Sequence, residues 1–553
     1  MSSSLSGGGY SRGRFCWWVV LLLIFLLAGA FRFVNLGKYP AWYGDECVEL
    51  LLARDFASGR MAWDAWEYRT MMPPYSFSPP FYVQGAALFL KLTGAPPDDQ
   101  LLYYRGYTSI MATAAVPAIA WLGRLAAGPW TGLAAALVYA VHPVAIAHGR
   151  YGFRHNQSML FNLLFLIFAL LAAGYARHGE QDAREHDAHS AGGAGDAAGS
   201  SRKWILLAAL ACGLSFFATY RSYVTVLAML LLIISHFRAT KDVKGCLGAL
   251  LIMGGPGFIM YLPFIARDGT AFFGNMASDL WNNVASPASH LFPARSFSQR
   301  ILEVNGGFLD LVSYDLITLM GFIGLLLIRN ARAARVLFLF LLVALLTIVD
   351  RQTSLRSFFY PAIIIAPLFS LGTAVVLLRL GRAAAQIIKP WGVRPAVFRL
   401  SPLLLAAIIA IVPAIAQITG KMRMPLSHLS TVDTDNARKA AVWINERVTD
   451  EDVVIAAPTL SWLLRGKRAN LLQSFAYVSE KCPPFFFQPM PRARFFFKPD
   501  LASARILVIS EIDEAFTLRM PGVRDYMNRS LANGDFELAR IMGEYRIYVK
   551  NRK

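Results

Sequence analysis

The feature that most constrains this chain is a series of apolar runs long enough to cross a lipid bilayer. About 20 helical residues span the ~30 Å of hydrocarbon in a membrane. Eleven segments are read as spans: 16–33, 106–122, 131–147, 158–176, 204–219, 222–237, 246–265, 314–328, 336–349, 358–379 and 401–418. Only 16% of the residues are charged and 56% are hydrophobic, against about 25% charged in soluble domains. The first run lies behind Arg12 and Arg14 and is longer than the ~7–15 apolar residues of a secretory signal. It is therefore read as an uncleaved first helix.

The net charge of +19 does not point to nucleic acid, because much of the excess lies in short loops between spans, where it sets orientation. The run 80–92 begins with Pro79-Pro80 and contains Gln84, and it is too short to span; it is read as interfacial or re-entrant. With it outside the bilayer and the N-terminus inside, the cytoplasmic loops carry Arg124; Arg177, Arg184, Arg202 and Lys203; Arg238, Lys241 and Lys244; Arg329, Arg332 and Arg335; and Arg379, Arg382, Lys389, Arg394 and Arg399. The opposite loops are poorer in basic residues. This bias predicts about 11 spans, a cytoplasmic N-terminus and a C-terminal domain outside.

The expected fold class is a multi-span α-helical membrane protein with interfacial helices in its first outer loop and a soluble C-terminal α/β domain. The membrane domain covers 1–420, with the first outer loop at 34–105 and a flexible cytoplasmic linker at 177–203. The linker histidines His178, His186 and His189 are read as solvated residues rather than metal ligands. The outer domain covers 421–553. There, 433–448 reads as an amphipathic helix with an acidic start. Val453–Ala457 and Arg505–Ser510 read as buried strands, and Tyr545–Lys550 as an edge strand. Five cysteines show no paired spacing; a Cys47–Cys482 bridge is left open. The aromatic and basic run Pro483–Pro499 is read as core packing or as contact with acceptor or bilayer.

The chemistry concentrates in the first outer loop, at Asp45-Glu46 within WYGDECVELLLARDFASGRM. Val48, Leu51, Leu52 and Phe56 recur at helical spacing, which predicts a helix lying along the interface with Gly44-Asp45 at its N-terminus. A carboxylate at that positive helix end stays ionised and can act as general base on an acceptor hydroxyl or amine. The same position also suits a simple N-cap, and both readings stand. Asp55 and Asp64 are read as surface charges.

The DE pair soon after the first span resembles the first-loop motif of GT-C-type glycosyltransferases, a superfamily that includes protein O-mannosyltransferases and the lipid A aminoarabinose transferase. SPPFY (Ser78–Tyr82) is similar to their Pro-Pro-aromatic segment. Tyr104-Arg105 followed by Ser109 resembles the stretch that opens their second span. HPVAIAHGRYGFRHNQSML (His142–Leu160) is similar to a short outer loop between their third and fourth spans. RSFFYPAIIIAPLFSLG (Arg356–Gly372) resembles a late Arg–Tyr–Pro helix, and AAVWINERV with DVVIAAP resembles the outer domain of bacterial members. The ordered set covers most of the chain.

The resemblance implies transfer of a sugar, with inversion, from a polyprenyl-phosphate donor to a protein, lipid or glycan acceptor on the extracytoplasmic face of a bacterial inner membrane. Asp45 would be the general base, with Glu46 orienting acceptor or base. Many members place a metal-binding acid in the second outer loop. Here that stretch reads Arg154-His155-Asn156, and a hard cation prefers oxygen anions, so no cofactor is expected and a divalent metal is disfavoured. Arginines suit the departing lipid phosphate because their planar fork pairs its oxygens. Arg105, Arg150, Arg154, Arg221 and Arg356 lie at predicted outer ends, with Arg221 and Arg356 preferred. Tyr43, Tyr82, Tyr360, His155 and Asn156 are expected to line the substrate pocket. Two other classes stay open: a lipid or polysaccharide transporter or flippase, disfavoured by spans nearly free of mid-depth charge, and a non-catalytic scaffold.

Overall fold

The computed structural model describes residues 8–40, 42–59, 80–173, 194–219, 222–270, 316–330, 355–388, 431–480, 497–515 and 517–551, with isolated positions between them. In chain order the elements begin with α1 (Gly8–Phe33), β1 (Trp42–Tyr43), α2 (Gly44–Ala57), α3 (Pro80–Thr93) and α4 (Gln100–Ala127). There follow α5 (Pro129–Val141), α6 (Pro143–Arg150), α7 (Arg154–Ala172), α8 (Ala194–Ala218), α9 (Tyr223–Thr240), α10 (Val243–Asp268), α11 (Leu316–Leu326) and α12 (Leu355–Ile388). The C-terminal part adds β2 (Thr431–Val432), α13 (Thr434–Asn445), β3 (Val453–Ile455), α14 (Pro458–Ser461), β4 (Lys467–Ala469), α15 (Leu471–Ser479), β5 (Ala504–Ile509), α16 (Pro521–Ala532), β6 (Phe536–Met542) and β7 (Tyr545–Lys550).

The chain divides into two compact units. One comprises Met1–Asn35, Thr108–Tyr261 and Ser296–Pro425; the other comprises Leu36–Tyr107, Leu262–Arg295 and Leu426–Lys553.

The first unit is a helical bundle. Among the described residues of the chain, five helices are long and apolar enough to cross a membrane: Phe15–Phe33, Pro97–Ala127, Arg154–Ala172, Val243–Leu262 and Ala366–Ile387. Pro129–Val141 and Val224–Arg238 are shorter apolar helices. The expected spans 336–349 and 401–418 lie largely outside the described residues. Large apolar side chains such as Phe15, Leu22, Leu23 and Leu26 point outward from α1, the arrangement a lipid-facing helix requires. Between helices, close contact replaces the hydrophobic drive that lipid cannot supply. Gly321 and Gly324 on α11 lie directly on the backbone of α12 at Phe369 and Gly372, where any Cβ would collide. Polar groups add a second link. Ser215 on α8 donates to Asn162 of α7 at 2.6 Å, and Thr225 of α9 donates to the same amide oxygen.

In the second unit, the C-terminal segment builds a five-stranded mixed sheet in the order β4-β3-β5-β7-β6. β3 pairs in parallel with β4 and β5, and β7 runs antiparallel to β5 and β6. β3 and β5 are the buried strands expected from their unbroken apolar runs. β7 corrects the edge-strand reading: it lies inside the sheet, between β5 and β6. Its alternation of Tyr545, Ile547 and Val549 with Arg546, Tyr548 and Lys550 gives one buried face, and that pattern is the same for an inner and an edge strand. The true edges, β4 and β6, carry charge, which blunts an edge against further pairing. α13 starts where its acidic run suggested, with the Asp433 carboxylate accepting from the Asp435 and Asn436 amides at 2.8 and 3.2 Å. From the aromatic run, Phe495 and Phe497 pack against the core of this sheet; residues 481–491 lie outside the described residues.

Candidate functional site in the first loop helix

The Asp45-Glu46 pair stands in the first turn of α2, which begins at Gly44 as the spacing predicted. The run from Glu46 to Ala53 is buried throughout. The apolar face of α2 is thus covered by protein. Helical periodicity reports a buried face without saying what covers it.

Several contacts clamp α2 within its unit. The short strand β1 just before it pairs antiparallel with β2, Trp42 opposite Val432. The Trp42 ring packs edge-on against Trp462 with centroids 5.0 Å apart, and the Arg438 guanidinium lies 5.6 Å from the Trp42 ring centre. At the other end of the helix, Arg54 donates to the Trp462 carbonyl at 2.6 Å.

The polar face of α2 meets the start of α4. Arg105 Nε donates to Glu46 Oε2 at 3.0 Å and its Nη2 to Glu46 Oε1, a bidentate ion pair with both side chains fully buried. Arg105 Nη1 donates to the carbonyls of Leu36 and Pro40 at 3.2 and 2.7 Å. One helical turn beyond Glu46, Glu49 accepts from the Tyr104 hydroxyl at 3.0 Å. The adjacent residues Tyr104 and Arg105 of α4 thus hold the i and i+3 carboxylates of α2.

These contacts bear on four expectations. Arg105 does not present its fork to a lipid phosphate; the fork is occupied by Glu46 and two carbonyls. Glu46 is held in that pair, in the helix turn that also carries Asp45, which agrees with its orienting the base and does not test a contact with acceptor. Tyr82 of α3 is fully buried, edge-on to Tyr104 at 5.7 Å and tilted against Tyr107 at 5.8 Å, so it packs against the tyrosines of α4. Asp55 is buried, at 7% exposure, instead of being a surface charge. Glu49 had escaped notice, although its i+3 spacing from Glu46 was visible. The side chains of Asp45 and Tyr43, residue Asp64, and Cys482 with its pairing to Cys47 lie outside the described residues.

The remaining expected residues belong to the helical unit. Arg154, His155 and Asn156 form the first turn of α7, with Arg154 half-buried and the other two buried. Asn156 Nδ2 donates to the carbonyls of His148 and Phe153 at 2.9 and 3.3 Å, so its amide fastens the turn that enters α7. His155 stands edge-on to Phe153. Arg150 is fully buried and donates to the Phe31 carbonyl at 2.8 Å. Ser109 Oγ donates to the Gly149 carbonyl at 3.0 Å and fastens this turn to α4. Arg356 and Tyr360 lie in the first turns of α12, with their side chains outside the described residues, as is all of Arg221.

No protein-family model and no curated protein sequence matches the chain. Its fold does match solved structures over nearly its whole length. ArnT from Cupriavidus metallidurans bound to undecaprenyl phosphate is 13% identical, with 97% of this chain and 98% of that one covered at a TM-score of 0.58. The same protein in the apo state is 14% identical at a TM-score of 0.57, with the same coverage. The archaeal oligosaccharyltransferase AglB from Archaeoglobus fulgidus, in complex with an inhibitory peptide and a dolichol-phosphate, is 12% identical, with 98% of this chain and 75% of that one covered at a TM-score of 0.54. At such identities the likeness is one of fold: this chain has the fold of those solved structures, with apolar helices long enough to cross a membrane.

Proposed function

We propose that this chain is a membrane glycosyltransferase that moves a sugar from a polyprenyl-phosphate donor to an acceptor on the extracytoplasmic face of a bacterial inner membrane. The observation that carries the reading is the fold shared over 97% of the chain with a protein crystallised on undecaprenyl phosphate. The buried Glu46–Arg105 pair supports it by fixing the helix turn to which Asp45 belongs. The loop charges support about 11 spans with the N-terminus in the cytoplasm.

In the proposed reaction Asp45 removes the proton from an acceptor hydroxyl or amine. The acceptor's oxygen or nitrogen bonds to the anomeric carbon from the face opposite the lipid, with inversion. The bond from that carbon to the phosphate oxygen breaks, and the polyprenyl phosphate leaves with the electron pair. Arg154, Arg221 and Arg356 are the guanidinium groups proposed to hold it. Arg105 has no part in that step. Metal independence rests on the second outer loop, where Arg154-His155-Asn156 offers no carboxylate to a hard cation.

The test is donor turnover by the purified protein in liposomes with polyprenyl-phosphate sugars. Asp45→Asn is expected to lower transfer by about 10²–10⁴-fold, the usual worth of a general base, while donor binding persists. Unchanged transfer by this variant removes Asp45 from the chemistry, and no transfer from any polyprenyl-phosphate sugar by the wild type overturns the proposal. Retention of activity in EDTA checks metal independence.

A further inference from the structure

Away from the first-loop site, the helical unit contains a cavity of about 530 Å³ where the turn between α4 and α5 meets the end of α11 and the second half of α12. Among the described residues, three arginines line it, Arg329, Arg379 and Arg382, and no acidic residue does. Val375, Leu378, Arg379, Arg382 and Gln386 reach it from α12 at spacings of three and four, so one helix face passes from apolar to cationic along its length. Arg379 is held in place by donating to the Leu327 carbonyl at the end of α11. Arg329 and Arg382 are exposed.

Neighbouring aromatics fix the depth of this cavity in the bilayer. Trp17 Nε1 donates to the Pro129 carbonyl at 3.2 Å, in the same α4–α5 turn. The Arg124 guanidinium lies 5.4 Å from the Trp17 ring centre and 5.2 Å from that of Trp121. Trp18 and Trp130 are exposed beside them. Tryptophans gathered with arginine at helix ends mark the headgroup level of a membrane. A cavity there with an apolar wall and a cationic mouth has the two-part chemistry of a phospholipid, whose acyl chains meet Val375 and Leu378 while its phosphate meets the guanidinium groups.

We propose that this cavity binds the headgroup of one anionic phospholipid, with Arg329 and Arg382 paired to its phosphate and Arg379 bracing the wall. The site is separate from sugar transfer and does not depend on it.

Native mass spectrometry of the full-length protein in detergent, titrated with phosphatidylglycerol, phosphatidylcholine or inorganic phosphate, tests this. The wild type is expected to retain one phosphatidylglycerol in preference to phosphatidylcholine. In R329Q/R382Q, which leaves Arg379 on its carbonyl, that retention is expected to weaken by about thirtyfold, from the ordinary pull of two surface cations on an anionic headgroup. R329K/R382K is expected to restore most of it. An unchanged melting temperature in the Gln variant separates lost binding from lost folding; if the Gln variant does not fold, the wild-type preference and the Lys variant decide. Equal retention of the two lipids by the wild type, or full phosphatidylglycerol retention by a folded Gln variant, overturns the site. Inorganic phosphate binding as tightly as phosphatidylglycerol overturns its assignment to a lipid.

Discussion

Arg105 in the first-loop unit and Arg32 in the helical unit are both fully buried, and the protein neutralises them by different means. Arg105 faces a carboxylate, Glu46, in a bidentate pair. Arg32 meets carbonyls: Ala28 at 3.1 Å, and Tyr139 and Ala140 at 3.5 Å, with the Tyr139 ring centre 5.0 Å away. Tyr139 and Ala140 lie in the last turn of α5, where carbonyls lack full helical pairing and the helix dipole is negative; Ala28 lies one turn before Arg32 in α1. Arg150 follows the same rule, on the Phe31 carbonyl. One unit thus holds a buried charge with an opposite charge, the other with helix ends. The difference matters because an ion pair stripped of one member leaves a full charge stranded, whereas helix ends stripped of a cation leave only dipoles.

The largest expected effect follows from the pair. Glu46→Gln removes the charge opposite Arg105 without removing the side chain's bulk. It should destabilise the protein by about 3–5 kcal/mol, the cost of a buried uncompensated charge. Replacing both members, Glu46→Leu with Arg105→Met, should recover most of that loss. The readout is the unfolding midpoint of the detergent-solubilised protein. A double variant as unstable as the single one would mean that Arg105 acts through the Leu36 and Pro40 carbonyls and that the contrast drawn with Arg32 is unfounded.

Tyr104→Phe comes next. It takes the Tyr104 hydroxyl from the Glu49 carboxylate, a hydrogen bond to a charged group, and should cost about 1.5–3 kcal/mol. The comparison sharpens if this loss adds to that of Glu46→Gln with a coupling term, since both carboxylates stand on one turn of α2 and both partners on one turn of α4. Strict additivity would show that the two contacts hold α2 independently.

Arg32→Met should cost less, about 1–2 kcal/mol, because it strands no charge and the helix-end carbonyls keep their intrahelical environment. An effect as large as that of Glu46→Gln would break the distinction. It would then assign Arg32 a buried anionic partner beyond the described residues.

The contrast also explains what could be read from the sequence. The membrane helices were legible, since a run such as 16–33 has no other stable environment. The start of α2 at Gly44, the cap at Asp433, and strands β3 and β5 followed from local pattern. The partner of Arg105 did not. Glu46 lies 59 residues away in the chain, and an arginine opening a span has the same sequence signature whether it meets a carboxylate, a carbonyl or a lipid phosphate. The buried contacts of Tyr82 and Asn156 were hidden for a related reason. An aromatic or amide side chain near a bilayer boundary suits a sugar, but the same groups also satisfy buried neighbours, and only the fold decides between them. Asp55, read from composition as a surface charge, is buried because the C-terminal segment joins the first loop in one compact unit, a pairing no local pattern encodes.

The smallest effect concerns a third way of burying charge, with neither a cation nor a helix C-terminus. Asp513, just after β5, is 4% exposed. It accepts from the Ser510 amide at 3.0 Å and the Ser510 hydroxyl at 2.8 Å, a capping pair of the Ser-x-x-Asp type. Burial raises its pKa above the usual carboxylate value, and the Ser510 bonds offset only part of that rise. In the pH range between its unfolded and folded values, the folded state therefore holds the proton more tightly than the unfolded state. The stabilising contribution is complete below the unfolded value and is lost as pH rises through the folded one. The slope is limited to about 1.4 kcal/mol per pH unit for one group. Hydrogen-exchange protection of the Ala504–Ile509 amides, corrected for the intrinsic pH dependence of exchange, should fall over that range in the wild type. Asp513→Asn should remove that fall while keeping an acceptor for Ser510. A carboxylate whose folded pKa is depressed loses stability in the opposite direction, as pH falls. Protection that rose with pH in the wild type would show that Asp513 is held as a carboxylate and leave the third class empty.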